Sequence, residues 1–279
     1  MVNLNGTLTS NTHQLATGNR GFAYGDAVFE TLRVVNNRII FWEDHYFRLM
    51  AGMRIMRMEI PMSFTMEFLE AEILKTIEAS KLKESSARIK FSVYRESEGF
   101  YTPISNDIGY VVSAQELEQS HYELNTDKYR VDIFKDYPVA PGLLSTVKTN
   151  NRALNVVGSI YAQENDLDNC ILINTNKQVV EALNSNLFLV HGNTIKTPPI
   201  LDGCIKGIVR QQLVEIIKGM EDYNLEEASI SPFEIQRADE LFLTNSIMGI
   251  RPVTVYRKKE FKNTMSKLLI EKLNKKAEV

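Results

Sequence analysis

Residues 86–94, SARIKFSVY, alternate strictly: Ala87, Ile89, Phe91 and Val93 point one way, Arg88, Lys90, Ser92 and Tyr94 the other. A period of two marks a half-buried β-strand, here with two cations on its polar face. Upstream the period is helical. Phe64, Phe68, Leu69, Ile73 and Ile77 share one face of a helix over 62–81, and Leu49, Met50, Met53 and Met56 one face of an earlier helix that stops near Pro61. Downstream, IGYVVSA at 108–114 reads as another strand.

The same mixture continues in the second half. YRVDIF (129–134), CILIN (170–174) and ELFLT (240–244) read as strands, interleaved with helices near 151–165, 206–219 and 263–275. Strands and helices in both halves predict an α/β or α+β fold rather than one built from a single element type. Periodicity lapses in the polar run QELEQSHYELN at 115–125, which predicts two domains, 1–116 and 117–279.

Composition narrows the function by exclusion. With 32 Lys+Arg against 35 Asp+Glu the formal net charge is −3, so the basic footprint of a nucleic-acid binder is missing. No charged-then-apolar leader opens the sequence, and no apolar run reaches the roughly 18 residues of a membrane span. Cys170 and Cys204 lack metal-ligand or disulfide-framework spacing, and His13, His45, His121 and His191 are scattered. The expectation is a cytoplasmic globular protein with a small-molecule substrate and no metal, nucleic-acid or membrane partner.

A few residues stand in positions where chemistry is plausible. In GCIKGIVRQQLVEII, Gly203 and Gly207 flank a loop that runs into an amphipathic helix. Its first amides suit a phosphate, though a plain turn and helix start reads the same way. LSTVKTNNRALN (144–155) sets Lys148 between an apolar run and a polar cluster, where a lysine can attack a carbonyl or simply face solvent. Glu181 lies between two apolar stretches, either at a strand end or as a buried partner for a cation. Arg48 sits on the first long helix, and Thr244, Asn245 and Ser246 close a strand where an open-sheet ligand often binds.

Together these segments resemble the class IV (fold type IV) pyridoxal-phosphate enzymes, which include branched-chain and D-amino-acid aminotransferases and 4-amino-4-deoxychorismate lyases. Five blocks occur in that family's order, from RGFAYGDAVFETLRV (20–34) to LTNSIMGIRPVTV (243–255): YGDAVFE, HxxRL, K-x-x-N, E-x(4)-NLF and GI-x-R. The resemblance implies a small N-terminal α/β sandwich and a larger C-terminal α/β pseudo-barrel carrying the lysine, like D-amino-acid aminotransferase. It also implies a homodimer and pyridoxal 5'-phosphate as cofactor. Lys148 would form the Schiff base and move the proton, Glu181 would pair with the pyridine nitrogen, and Arg48 would bind the phosphate. The Gly207, Ile208 and Val209 amides with Ser246 would complete the phosphate cup. Tyr24, Phe29, Arg88, Lys90 and Arg95 would line the substrate site.

Second-tier residues bear on the reaction. Phe29-Glu30-Thr31-Leu32-Arg33 has threonine where branched-chain aminotransferases usually have glycine, and Leu243-Thr244-Asn245-Ser246 is similar to the lyases. Thr31 would then help deliver a proton as pyruvate leaves. Three departures from the family stand out: Val209 replaces a common threonine, Ala153 a tyrosine found in some aminotransferases, and RESEGFYTP supplies only Arg95 where lyases sometimes carry an arginine pair. The implied activity is 4-amino-4-deoxychorismate lyase, with a branched-chain or D-amino-acid aminotransferase using 2-oxoglutarate as the alternative. A non-catalytic cofactor carrier would not require both Lys148 and Glu181.

Overall fold

The computed structural model describes Met1–Ser10 and Thr17–Glu278, so His13 lies outside the described residues. The backbone packs as two compact units. The first is Met1–His121 with Val147–Asn151, and the second is Tyr122–Thr146 with the chain from Arg152 on.

The first unit is built on a six-stranded sheet. Its strands are β1 (Val2–Leu4), β2 (Thr7–Thr9), β3 (Ala27–Val35), β4 (Arg38–Ile39), β5 (Ser86–Arg95) and β6 (Ile108–Leu117), in the spatial order β2-β1-β6-β5-β3-β4. The alternating stretch is thus β5 but for its last residue, paired antiparallel to β3 and β6. Its apolar face and that of β3 pack under α2 (Trp42–Ile55) and α3 (Met66–Ala79) in one core, where Leu32, Ile89, Met53, Leu69 and Ile73 are fully buried. A one-turn helix, α1 (Arg20–Ala23), precedes β3. The helix α2 stops at Ile55, short of Pro61, because Arg57 turns left-handed at φ 55° and the Met58 amide bonds back to the Met53 carbonyl. α3 starts at Met66, four residues after the sequence reading, because Thr65 caps it by accepting from the Phe68 amide.

The second unit holds β7 (Arg130–Val139), β8 (Asn169–Asn174), β9 (Val179–Ala182), β10 (Asn186–His191), β11 (Thr194–Thr197), β12 (Asn224–Glu227), β13 (Glu240–Asn245), β14 (Gly249–Pro252), β15 (Val255–Tyr256) and β16 (Lys259–Glu260). They form two five-stranded sheets, β12-β11-β10-β13-β14 and β16-β15-β7-β8-β9, which share a core that includes Val131, Ile171, Leu187, Leu241 and Val253. Four helices complete it: α4 (Ala153–Glu164), α5 (Ile208–Lys218), α6 (Pro232–Arg237) and α7 (Thr264–Ala277). The expected mixed α/β class therefore holds, and no described helix is long and apolar enough to cross a membrane.

The short segment Val147–Asn151 belongs to the first unit for a backbone reason. β4 pairs only the end of β3, and this segment takes up the beginning: the Phe29 amide donates to the Lys148 carbonyl and the Asn150 amide to the Ala27 carbonyl, both at 2.9 Å. Lys148 is thus carried by the N-terminal unit rather than by the C-terminal one. β6 runs through Leu117, so the polar run at 115–125 begins as strand.

Candidate active site

The first unit gathers its polar groups on both faces of β3. On the helix-facing side Glu30 stands among apolar neighbours with a side chain 2% exposed. α2 brings His45 and Arg48 over it from positions one helical turn apart. Arg48 donates from Nε to Glu30 Oε1 at 2.7 Å and from Nη2 to Oε2 at 2.5 Å, and His45 Nδ1 lies 2.7 Å from Oε2. Burial alone would raise the Glu30 carboxyl, but the charge and hydrogen bonds of Arg48, with His45 adding to them, hold it down at about 2. Burial pushes the His45 imidazole below its ordinary value, and the charges of Arg48 and Lys148 push the same way, against the pull of Glu30.

This pair makes stability acid-sensitive. Because the Glu30 carboxyl falls from an ordinary 4.5 to about 2 on folding, its contribution is complete above about pH 5 and is lost as pH falls from there towards 2. The amount at stake is on the order of 3 kcal/mol. Urea unfolding at pH 5 and pH 3 should show a steeper loss for the wild type than for Glu30→Gln. Equal losses would remove Glu30 from the acid response.

On the opposite face of β3, Phe29 and Thr31 meet the polar face of β5. Thr31 pairs with Lys90 across the strands. The Lys148 ammonium lies 4.3 Å from the centre of the Phe29 ring and that of Lys90 lies 5.0 Å from the same centre, so one aromatic ring serves two cations. Lys148, Phe29, Thr31 and Lys90 therefore come together. Arg88 lies one pleat further along β5, exposed and bonded to Gln115 at 3.3 Å.

One expected substrate residue, Arg95, sits elsewhere. Arg95 is only 6% exposed and donates from Nε and Nη2 to Asp26, from Nη1 to Asn106 and the Arg57 carbonyl, and from Nη2 to the Met56 carbonyl. Its fork is committed to the fold, which corrects its reading as a carboxylate binder. Tyr24 ends α1 and packs against Tyr101 with ring centres 5.7 Å apart.

In the second unit the polar groups collect where β10 begins and β13 ends. Glu181 on β9 is buried, and its Oε2 accepts from the Ile205 amide at 3.0 Å and from Asn186 Nδ2 at 3.3 Å. Asn186, the first residue of β10, pairs with Thr244 on β13. Gly207 is the N-cap of α5, with Ile208 and Val209 in the first turn, and no side chain caps this end. A Cβ on Gly207 would lie 1.9 Å from Asn186 Oδ1, so only glycine lets the helix start approach this closely. Ser246 follows β13 and accepts on its carbonyl from the Tyr122 hydroxyl at 3.1 Å. The Thr244 hydroxyl is buried with no hydrogen-bond partner among the described residues.

Sequence reasoning missed Glu30, His45 and Asn186. A signal existed for the first two, since His45 and Arg48 are spaced by three on one helix. Asn186 had none, because its role depends on a contact between β10 and the start of α5. Both cysteines are buried, and burial pushes Cys170 up to about 11 and Cys204 to about 12, the Glu181 charge adding at Cys204. No group of metal-ligating side chains occurs among the described residues.

Comparison with known proteins sets these residues in a family. The chain is 25% identical over 240 residues to an aminodeoxychorismate lyase of Vibrio harveyi, covering 85% of both chains. It is 26% identical over 234 residues to a putative branched-chain-amino-acid aminotransferase of Methanocaldococcus jannaschii, covering 84% of this chain and 79% of that one. Its fold matches the crystal structure of the branched-chain aminotransferase of Thermoproteus uzoniensis at a TM-score of 0.88 and 22% identity, over 99% of this chain and 94% of that one. The amino-transferase class IV profile matches residues 27–256, and the chain belongs to that family of enzymes. Pyridoxal phosphate is the cofactor these enzymes use. Each unit holds groups that suit such a cofactor: the second a buried carboxylate oriented by two donors, a helix start without a side-chain cap and an unpartnered buried hydroxyl, the first a lysine beside an aromatic ring.

Proposed function

We propose that this enzyme is a 4-amino-4-deoxychorismate lyase, releasing pyruvate and leaving 4-aminobenzoate, a product that fits folate biosynthesis. The observation that carries the reading is Thr31, a hydroxyl on the same face of β3 as the Phe29–Lys148 contact. When bound, pyridoxal phosphate draws electrons away from the carbon that must lose its proton. Lys148 would hold the cofactor at its aldehyde through Nζ and, as a free amine once substrate is bound, would take the proton from the ring carbon that carries the amino group. Thr31 supplies a proton to the departing enolpyruvyl methylene carbon, and aromatisation of the ring drives the C–O cleavage. Lys90 and Arg88 hold the substrate carboxylates, and Phe29 orients Lys148 by its ring face. Glu181 would accept from the pyridine N–H. Arg48, and the amides of Gly207, Ile208 and Val209 with Ser246, would each hold the phosphate.

The alternative is an aminotransferase acting on branched-chain or D-amino acids with 2-oxoglutarate, supported by the likeness to the Methanocaldococcus jannaschii protein. One assay separates them. Purified enzyme should release pyruvate and 4-aminobenzoate from 4-amino-4-deoxychorismate, and Thr31→Gly should slow that release by about a hundredfold. Glutamate formation from leucine and 2-oxoglutarate without pyruvate release would sink the lyase reading. We further read the enzyme as a homodimer in the cytoplasm. Val156, Val157 and Ile160 on α4, with Leu143 and Leu144, offer exposed apolar surface to a second copy, and two buried free thiols suit a reducing compartment.

A further inference from the structure

Glu30 is an acidic residue beside the arginine assigned to the phosphate, and nothing in the proposed chemistry uses it. Its geometry is specific. It takes Nε and Nη2 of Arg48 on its two oxygens, 2.7 and 2.5 Å away, which fixes the guanidinium plane as well as its position. His45 adds a third contact, on Oε2. Held ionised, the carboxylate is an acceptor only, so His45 must carry its proton on Nδ1 to make the 2.7 Å contact. That leaves Nε2 unprotonated on the neutral ring, buried and without a hydrogen-bond partner among the described residues. A side chain 1% exposed that leaves one ring nitrogen unsatisfied has its position set by the other.

We propose that Glu30 and His45 are positioning residues that aim the Arg48 guanidinium at the cofactor phosphate, His45 acting only through its Nδ1–H on Glu30. The inference rests on the assignment of Arg48 to the phosphate. It predicts a particular pattern of binding. The full chain, freed of cofactor, is titrated with pyridoxal phosphate and with pyridoxal, which differs only in lacking the phosphate. Trp42, the sole tryptophan and the first residue of α2, reports binding by its fluorescence.

Glu30→Asp keeps the charge but draws the carboxylate back by one methylene, so it cannot reach the fork and His45 together. It should weaken pyridoxal phosphate about tenfold or more and leave pyridoxal unchanged, since the loss comes from misaiming rather than from lost charge. His45→Leu should act in the same direction. His45→Asn, which places an N–H near the Nδ1 position, should recover phosphate preference. Because the two His45 variants keep Glu30 and Arg48 in place, they decide the matter if Glu30→Asp does not fold. Equal loss of both ligands, or no loss of either, overturns the inference and leaves the cluster a structural ion pair. If wild-type protein does not prefer pyridoxal phosphate over pyridoxal, or Arg48→Ala keeps that preference, the assignment of Arg48 fails instead.

Discussion

Lys148→Ala is expected to abolish the lysine-dependent visible absorbance of the cofactor-loaded enzyme and to lower turnover by at least about a thousandfold. The size follows from one amino group doing two jobs in the proposed reaction, anchoring the cofactor and moving the proton. Structure should be spared. Lys148 contributes to the first sheet through its backbone carbonyl, which alanine retains, and its side chain lies over Phe29 at the sheet face rather than in the core. The measurement is a visible spectrum with a product assay on the same sample. An unchanged absorbance band in a folded Lys148→Ala protein would refute the covalent role, whichever reaction the enzyme performs.

The largest stability effect is expected at Asp26. Its carboxylate lies between two buried guanidinium groups, 2.9 Å from Arg20 Nε and 2.8 Å from Arg95 Nε. The remaining donors of Arg20 reach the carbonyls of Gly99, Phe100 and Tyr101, and those of Arg95 reach Met56, Arg57 and Asn106. One carboxylate is therefore shared by two cations that tie α1, the end of α2 and the 96–107 loop to β5. Asp26→Ala leaves both cations desolvated and should cost about 3–5 kcal/mol in denaturant unfolding of the first unit's core. Asp26→Asn keeps an acceptor and should cost less. A loss below about 1 kcal/mol for the alanine variant would mean that the carbonyls alone satisfy the two arginines.

These two sites show what could be read in the sequence and what could not. β5 was legible because one of its faces meets solvent, so its alternation is clean. β3, its neighbour, was not read as a strand. Both of its faces are largely covered, and Glu30 and Arg33 are buried charges in a run that would otherwise look like core. Arg95 was misread for the same reason. A charged side chain is usually a surface group, and only the contact with Asp26, 69 positions away, shows otherwise. Glu181 left two readings open, and its burial beside Asn186 and Ile205 selects the interior one. The short strands β9 and β10 were likewise hidden, since nearly every residue of both is buried and shows no period.

The placement of Val147–Asn151 has an engineering consequence. The N-terminal unit is discontinuous in the chain, and the piece it borrows carries the lysine. A fragment cut after His121 would present the first half of β3 as an unpaired strand edge, the kind of surface that templates aggregation. Any split-protein or circularly permuted form of this enzyme should therefore keep residues 147–151 supplied to the edge of β3.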